Sequence, residues 1–122
     1  MSKILVIDDD TMVRNTLSAI LRHHGYEVEL AVNGKQGLAA FRTGAPDLVI
    51  TDIIMPEKEG IETIIEMRRD RPDAKIIAIS GGGRVGNADF LRMAKTLGAT
   101  AVIAKPFSPQ ELIGCVKTCL AA

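Results

Sequence analysis

Lys3-Ile4-Leu5-Val6-Ile7-Asp8-Asp9-Asp10 is the stretch from which the architecture can be read. Four consecutive apolar residues, three of them β-branched, suit a short strand buried on both faces. The run stops at three carboxylates, which need water, a cation or hydrogen-bond donors around them. Beyond these, Val13, Leu17, Ile20 and Leu21 recur at helical spacing. A buried strand that runs into an amphipathic helix is the opening half of a strand-helix-strand crossover.

The same alternation continues along the chain. Residues 4–7, 28–31, 48–51, 76–79 and 101–104 are the strand candidates. Leu38 and Phe41 mark a second helix, and Ile61, Ile64, Ile65 and Met67 a third. Phe90, Leu91, Ala94 and Leu97 mark a fourth over residues 90–97. The last helix starts most clearly: Ser108 suits its cap, Pro109 its first turn, and Glu111 follows three residues after the cap. Leu112, Ile113, Val116, Cys119 and Leu120 form its apolar face.

Five strands alternating with five helices predict an α/β fold, a doubly wound five-stranded parallel sheet covered on both faces. The strands beginning at Ile4, Leu48, Ile76 and Ala101 read as buried on both sides. Glu27 and Glu29 flank Val28, so that strand is the expected edge.

The 122 residues are 47% hydrophobic and 25% charged, with fifteen basic residues against fifteen acidic ones. This size and composition predict one globular domain over residues 1–122, and the chain reads as a complete small protein. No basic tail or stripe is present, so no nucleic-acid partner is expected. No apolar run is long enough for a membrane span or has the layout of a secretory signal, and a cytoplasmic location is expected. Cys115 and Cys119 lack further cysteine or histidine neighbours at zinc or redox spacing, so both are expected to be reduced packing residues. His23 and His24 close the first helix as surface or capping groups. Gly81-Gly82-Gly83, with Gly86 beyond, is expected to form a mobile loop after the fourth strand.

In an open parallel sheet, ligands gather at the carboxyl ends of the strands. There the first strand ends at Asp8-Asp9-Asp10, the third at Asp52, the fourth at Ser80 and the fifth at Lys105. Carboxylates held together repel unless a cation sits among them, and Mg2+ prefers such oxygen ligands. Asp9 or Asp10, Asp52 and a backbone carbonyl, that of Ile54, are the candidate ligands. Asp8 is assigned instead to stopping the strand and capping the helix that follows. Asp52 beside a divalent cation can attack phosphorus and form an acyl phosphate. Lys105 and Ser80, or the backbone amides near Ser80, can serve the remaining phosphoryl oxygens.

Taken in order, Lys3 to Asp10, Asp47-Leu48-Val49-Ile50-Thr51-Asp52-Ile53-Ile54-Met55-Pro56, Ile79-Ser80-Gly81, Gly98-Ala99 and Lys105-Pro106-Phe107 resemble the receiver domain of two-component response regulators. The resemblance spans nearly the whole chain. It implies a flavodoxin-like three-layer sandwich with strand order 2-1-3-4-5. It also implies a phosphorylation-dependent signalling switch, in which Asp52 accepts a phosphoryl group from a sensor histidine kinase or a histidine phosphotransfer protein. Asp9 and Asp10 correspond to the acidic pair at Mg2+, Ser80 to the hydroxyl residue and Lys105 to the lysine. Such a domain catalyses its own aspartyl phosphorylation and slow dephosphorylation and is not a dedicated enzyme. Its output is expected to reach a downstream protein through the 90–97 helix, the last strand and the 109–120 helix, as a monomer or a phosphorylation-dependent dimer.

Val102 departs from the family, which commonly has an aromatic residue three positions before the lysine, so signal transmission here needs another device. Two other functional classes compete. Asp8, Asp10 and Thr11 resemble the nucleophile motif of haloacid-dehalogenase-type phosphatases, but the chain is short and has no cap. An interaction module that keeps the fold without phosphorylation would not need the acidic residues, Ser80 and Lys105 together. A flavodoxin-like carrier is disfavoured because three aspartates occupy the place of a phosphate-cradling loop.

Overall fold

The computed structural model describes residues 2–52, 59–80, 96, 98–104 and 106–121, without the side chains of Glu59, Gly60 and Ser80. In chain order it contains β1 (Lys3–Ile7), α1 (Thr11–His23), β2 (Glu27–Ala31), α2 (Gly34–Gly44) and β3 (Leu48–Asp52). There follow α3 (Glu59–Asp70), β4 (Ile76–Ser80), β5 (Ala101–Ala104) and a helix numbered α4 here (Pro109–Ala121). Of the helix expected over residues 90–97 only Thr96 is described, and it is helical; the Gly81 to Gly86 stretch lies outside the described residues.

The five strands form one parallel sheet in the order β2-β1-β3-β4-β5. The strand carrying Glu27 and Glu29 is an edge, as its charges predict. β5 is the opposite edge and is only half-buried, although its run of apolar residues reads as a doubly buried strand. Four small or β-branched residues cannot report whether a second neighbour flanks them, which explains the difference.

Side-chain alternation divides the sheet between two apolar layers. Ile4, Val6, Leu48, Ile50, Ile77 and Ile79 face Leu17 and Leu21 of α1 and Leu112, Val116 and Cys119 of α4. Leu5, Ile7, Val49, Ile76 and Ala78 face Leu38 and Phe41 of α2 and Ile64 and Met67 of α3. β1 and β3 supply residues to both layers because each has a strand on either side and helices above and below.

Local signals fix the helices in place. Asn33 accepts the Gln36 amide at 2.8 Å and the Gln36 side chain accepts the Val32 amide at 3.2 Å, closing the start of α2. At α4, Ser108 Oγ accepts the Glu111 amide at 3.0 Å, while Glu111 Oε1 accepts the Ser108 amide at 2.8 Å. This is the reciprocal cap that Ser108 and Glu111 predict. α2 approaches β1 closely because Gly37 has no side chain: a Cβ there would lie 2.7 Å from Ile7 Cγ1.

Behind the sheet, α2 and α3 are joined by charged groups. The Arg71 guanidinium lies 4.1 Å from the centre of the Phe41 ring, and Arg42 Nε donates to Asp70 Oδ2 at 2.6 Å. Among the described residues, no helix is long and apolar enough to cross a membrane.

Candidate functional site

Register and alternation bring the acidic groups together. Ile7 pairs with Thr51, so the next residues, Asp8 and Asp52, meet at the carboxyl edge of β1 and β3. Asp8 continues the row of Ile4 and Val6, and Asp52 the row of Leu48 and Ile50, which belong to the same layer. Asp8 and Asp52 are buried, whereas Asp9 is exposed. One carboxylate oxygen from each of Asp8, Asp9 and Asp52 lies within 4.8 Å of the others.

Three anionic groups this close are held most economically around a cation. The donors are all carboxylate oxygens, which suits a hard ion such as Mg2+ and not a metal that prefers thiolate or imidazole. Asp8 and Asp52 lie at the sheet edge and Asp9 is exposed to solvent, so waters or an anionic substrate could complete a coordination shell.

Asp10 is not part of this group. It is the N-cap of α1, and its Oδ1 accepts the amides of Met12 at 2.8 Å and Val13 at 3.3 Å. Those amides have no partner within the helix, and a carboxylate also complements the positive end of the helix dipole. The expectation that joined Asp10 to Asp9 at the metal and left Asp8 as the cap therefore exchanges two residues. Two signals support the exchange: Asp10 directly precedes the helical pattern, and Asp8 shares the strand row of Ile4 and Val6. The capping role of Asp10 also engages a residue of the phosphatase-like motif of Asp8, Asp10 and Thr11.

Asp8 is tied down on several sides. Its amide donates to Ala31 O at 3.1 Å and its Oδ1 accepts the Asp10 amide at 2.8 Å. Its carbonyl accepts Arg14 Nη1 at 2.7 Å, while Arg14 Nη2 donates to Thr11 Oγ1 at 3.2 Å. Arg14 carries no sequence signal of its own, because an arginine on the second turn of a helix reads as an ordinary surface residue.

Asp52 pairs with Ile79, and Ser80 pairs with Ala104, so the main chain of β4 and β5 reaches the same edge. Ile54 and Lys105 lie outside the described residues, as does the Ser80 side chain. Val102 is half-buried against the α2 and α3 layer and pairs with Ala78. His23 and His24 are exposed, and His24 caps α1 with Nδ1 3.0 Å from Ile20 O.

Comparison with known proteins places this geometry. Residues 4–117 match the response regulator receiver domain family. The chain is 36% identical over 112 residues to the chemotaxis protein CheY of Thermotoga maritima, covering 91% of each. It is 37% identical over 118 residues to the probable transcriptional regulator ycf27 of Pyropia yezoensis, covering 97% of this chain and 47% of that protein. Thus the chain spans about half the length of the first curated relatives it matches. The crystal structure of a CheY-like receiver domain protein from Methanospirillum hungatei superposes with a TM-score of 0.88 at 34% identity, covering 99% and 94% of the two chains.

The chain belongs to the response regulator receiver domain family. Family and acidic group together support phosphorylation-based signalling, with the three aspartates matching the Mg2+ site of receiver domains.

Proposed function

We propose that Asp52 is the phosphoryl acceptor of an Mg2+-dependent switch, with Asp8 and Asp9 completing its cation site. The observation that carries this reading is the convergence of Asp8, Asp9 and Asp52 oxygens within 4.8 Å at the carboxyl edge of the sheet. Residues 1–122 act as one receiver unit. The main-chain carbonyl of Ile54 is a further ligand, as the family resemblance implies, and Asp10, the cap of α1, is not one.

The donor is a phosphohistidine of a sensor kinase or phosphotransfer protein. An oxygen of Asp52 attacks phosphorus, the P–N bond breaks, and its electron pair returns to the imidazole, leaving an aspartyl phosphate. Mg2+, when bound, neutralises charge on the phosphoryl oxygens. Asp8 and Asp9 set the negative field that admits the cation beside Asp52. Lys105 pairs with a second phosphoryl oxygen, and the Ser80 hydroxyl donates to a third. Later attack of water on phosphorus restores the Asp52 carboxylate and releases inorganic phosphate.

Output passes to a downstream protein, or into a dimer, through the surface of the 90–97 segment, β5 and α4. Val102 has no ring to reorient, so the proposed link to that surface runs through Ser80 and the segment after it.

Acetyl phosphate with Mg2+ tests the reading by intact mass and peptide mapping. Wild type should gain one phosphoryl group on Asp52, and Asp52→Asn or excess chelator should abolish the gain. Equal labelling of Asp52→Asn, or a label on Asp8, would overturn it.

A further inference from the structure

We infer that Arg14 is a positioning residue for the cation site: by holding the carbonyl of Asp8 it fixes the peptide between Asp8 and Asp9, and so aims the Asp9 carboxylate. The inference deepens the proposed function and rests on the reading of Asp8, Asp9 and Asp52 as the Mg2+ ligands.

The three aspartates differ in what holds them. Asp52 closes β3, and its backbone belongs to the sheet. Asp8 is buried, and its Oδ1 is engaged by the Asp10 amide at 2.8 Å. Asp9 is exposed and follows the end of β1, and among the described residues its carboxylate makes no hydrogen bond or ion pair. Among the described residues, nothing acting on its side chain sets the direction of that carboxylate. Its direction follows from the backbone, whose preceding peptide plane is defined by the Asp8 carbonyl and the Asp9 amide.

Arg14 Nη1 donates to that carbonyl at 2.7 Å, a short charge-assisted bond. Nη2 donates to Thr11 Oγ1 at 3.2 Å, so two arms of one planar group are tied to different parts of the turn. The base of the side chain is anchored too, because the Arg14 amide donates to Asp10 O at 3.0 Å as α1 begins. The helix thereby braces the acidic turn from its own second turn. A guanidinium can span the two acceptors, whereas an ammonium is a point donor that cannot reproduce the fork.

The charge of Arg14 acts in the opposite sense. A fixed cation near the site repels a divalent ion, so an effect through charge alone would make Mg2+ bind tighter once Arg14 is removed. An effect through orientation makes it bind more weakly, as removal of groups that orient metal ligands generally does. The sign of the change separates the two.

Calorimetric Mg2+ titration of wild type, Arg14→Met and Arg14→Lys, with the chemical unfolding of each measured in chelator, tests the inference. Mg2+ should bind Arg14→Met roughly tenfold more weakly than wild type. Arg14→Lys, which keeps the charge but not the fork, should also be weakened and serves as the deciding variant if Arg14→Met does not fold. A constant equal to or tighter than wild type in either folded variant overturns the inference, including when the unfolding midpoint falls, since that result marks a purely structural arginine. Absence of Mg2+ binding by wild type overturns the site reading itself, and the positioning role with it.

Discussion

The Oδ1 atom of Asp8 accepts the backbone N–H of Asp10 at 2.8 Å, and through this contact two neighbouring aspartates take opposite roles. Asp8 is left facing Asp9 and Asp52, while Asp10 turns its own Oδ1 to the amides of Met12 and Val13. Substitution should separate these roles. Asp10→Ala should lower stability by about 1 kcal/mol through loss of the cap, with Asp10→Asn closer to wild type. Mg2+ affinity should be retained in Asp10→Asn and reduced in Asp8→Asn, as read by urea unfolding alongside Mg2+ titration.

Gly37 and Ile7 form a second testable pair. Ile7 is fully buried, so its side chain has little room to yield to a Cβ built 2.7 Å from its Cγ1. Gly37→Ala should cost about 1–3 kcal/mol, as overpacking of a filled core does. Adding Ile7→Val removes the terminal methyl that meets the new carbon. The double mutant should therefore be more stable than the sum of the single changes predicts, a coupling that a double-mutant cycle measures.

The start of α4 depends on two hydrogen bonds that Ser108 and Glu111 exchange. Ser108→Ala should destabilise by about 1 kcal/mol. Ser108→Asp should retain most of the stability, because its carboxylate can still accept the Glu111 amide. Thermal unfolding monitored by circular dichroism distinguishes the two variants.

Burial pushes the Cys115 thiol up to about 11, with the neighbouring Cys119 adding to the shift. The group is thus a protonated thiol at neutral pH, and its alkylation should continue to accelerate with pH up to about 11. Because the folded-state value is raised, this thiol's contribution to stability is complete below the unfolded-state value and is lost as pH rises towards about 11. Cys115→Ala should remove that part of the alkaline loss, measured by unfolding across the same pH range.

Arg42 and Asp70 carry a smaller, acid-side effect. The hydrogen bond from Arg42 holds the Asp70 carboxyl below its ordinary range. Its contribution is present above the unfolded carboxylate value and fades as pH falls through the lower folded-state value. Both groups are solvated, so Asp70→Asn should produce only a slight acid-side change, and added salt should reduce the difference from wild type.

The sequence by itself determined the class of fold and the chemical kind of site. Apolar runs such as Ile4 to Ile7, interleaved with helical periods, leave little choice but a covered parallel sheet, and Asp52 ends its strand where such sheets bind ligands. Ser108 and Glu111 were legible for the same reason: a cap acts over three residues and can be read locally. Which of three consecutive aspartates joins Asp52 was decided only in the tertiary structure. All three have the same chemistry, and their roles depend on where β1 stops, where α1 starts and which strand lies opposite. The Arg14 contact with the Asp8 carbonyl was equally hidden, since a side chain reaching back across a turn leaves no periodic trace. The half-buried edge at β5 belongs with them, because a strand's own residues do not specify how many neighbours it has.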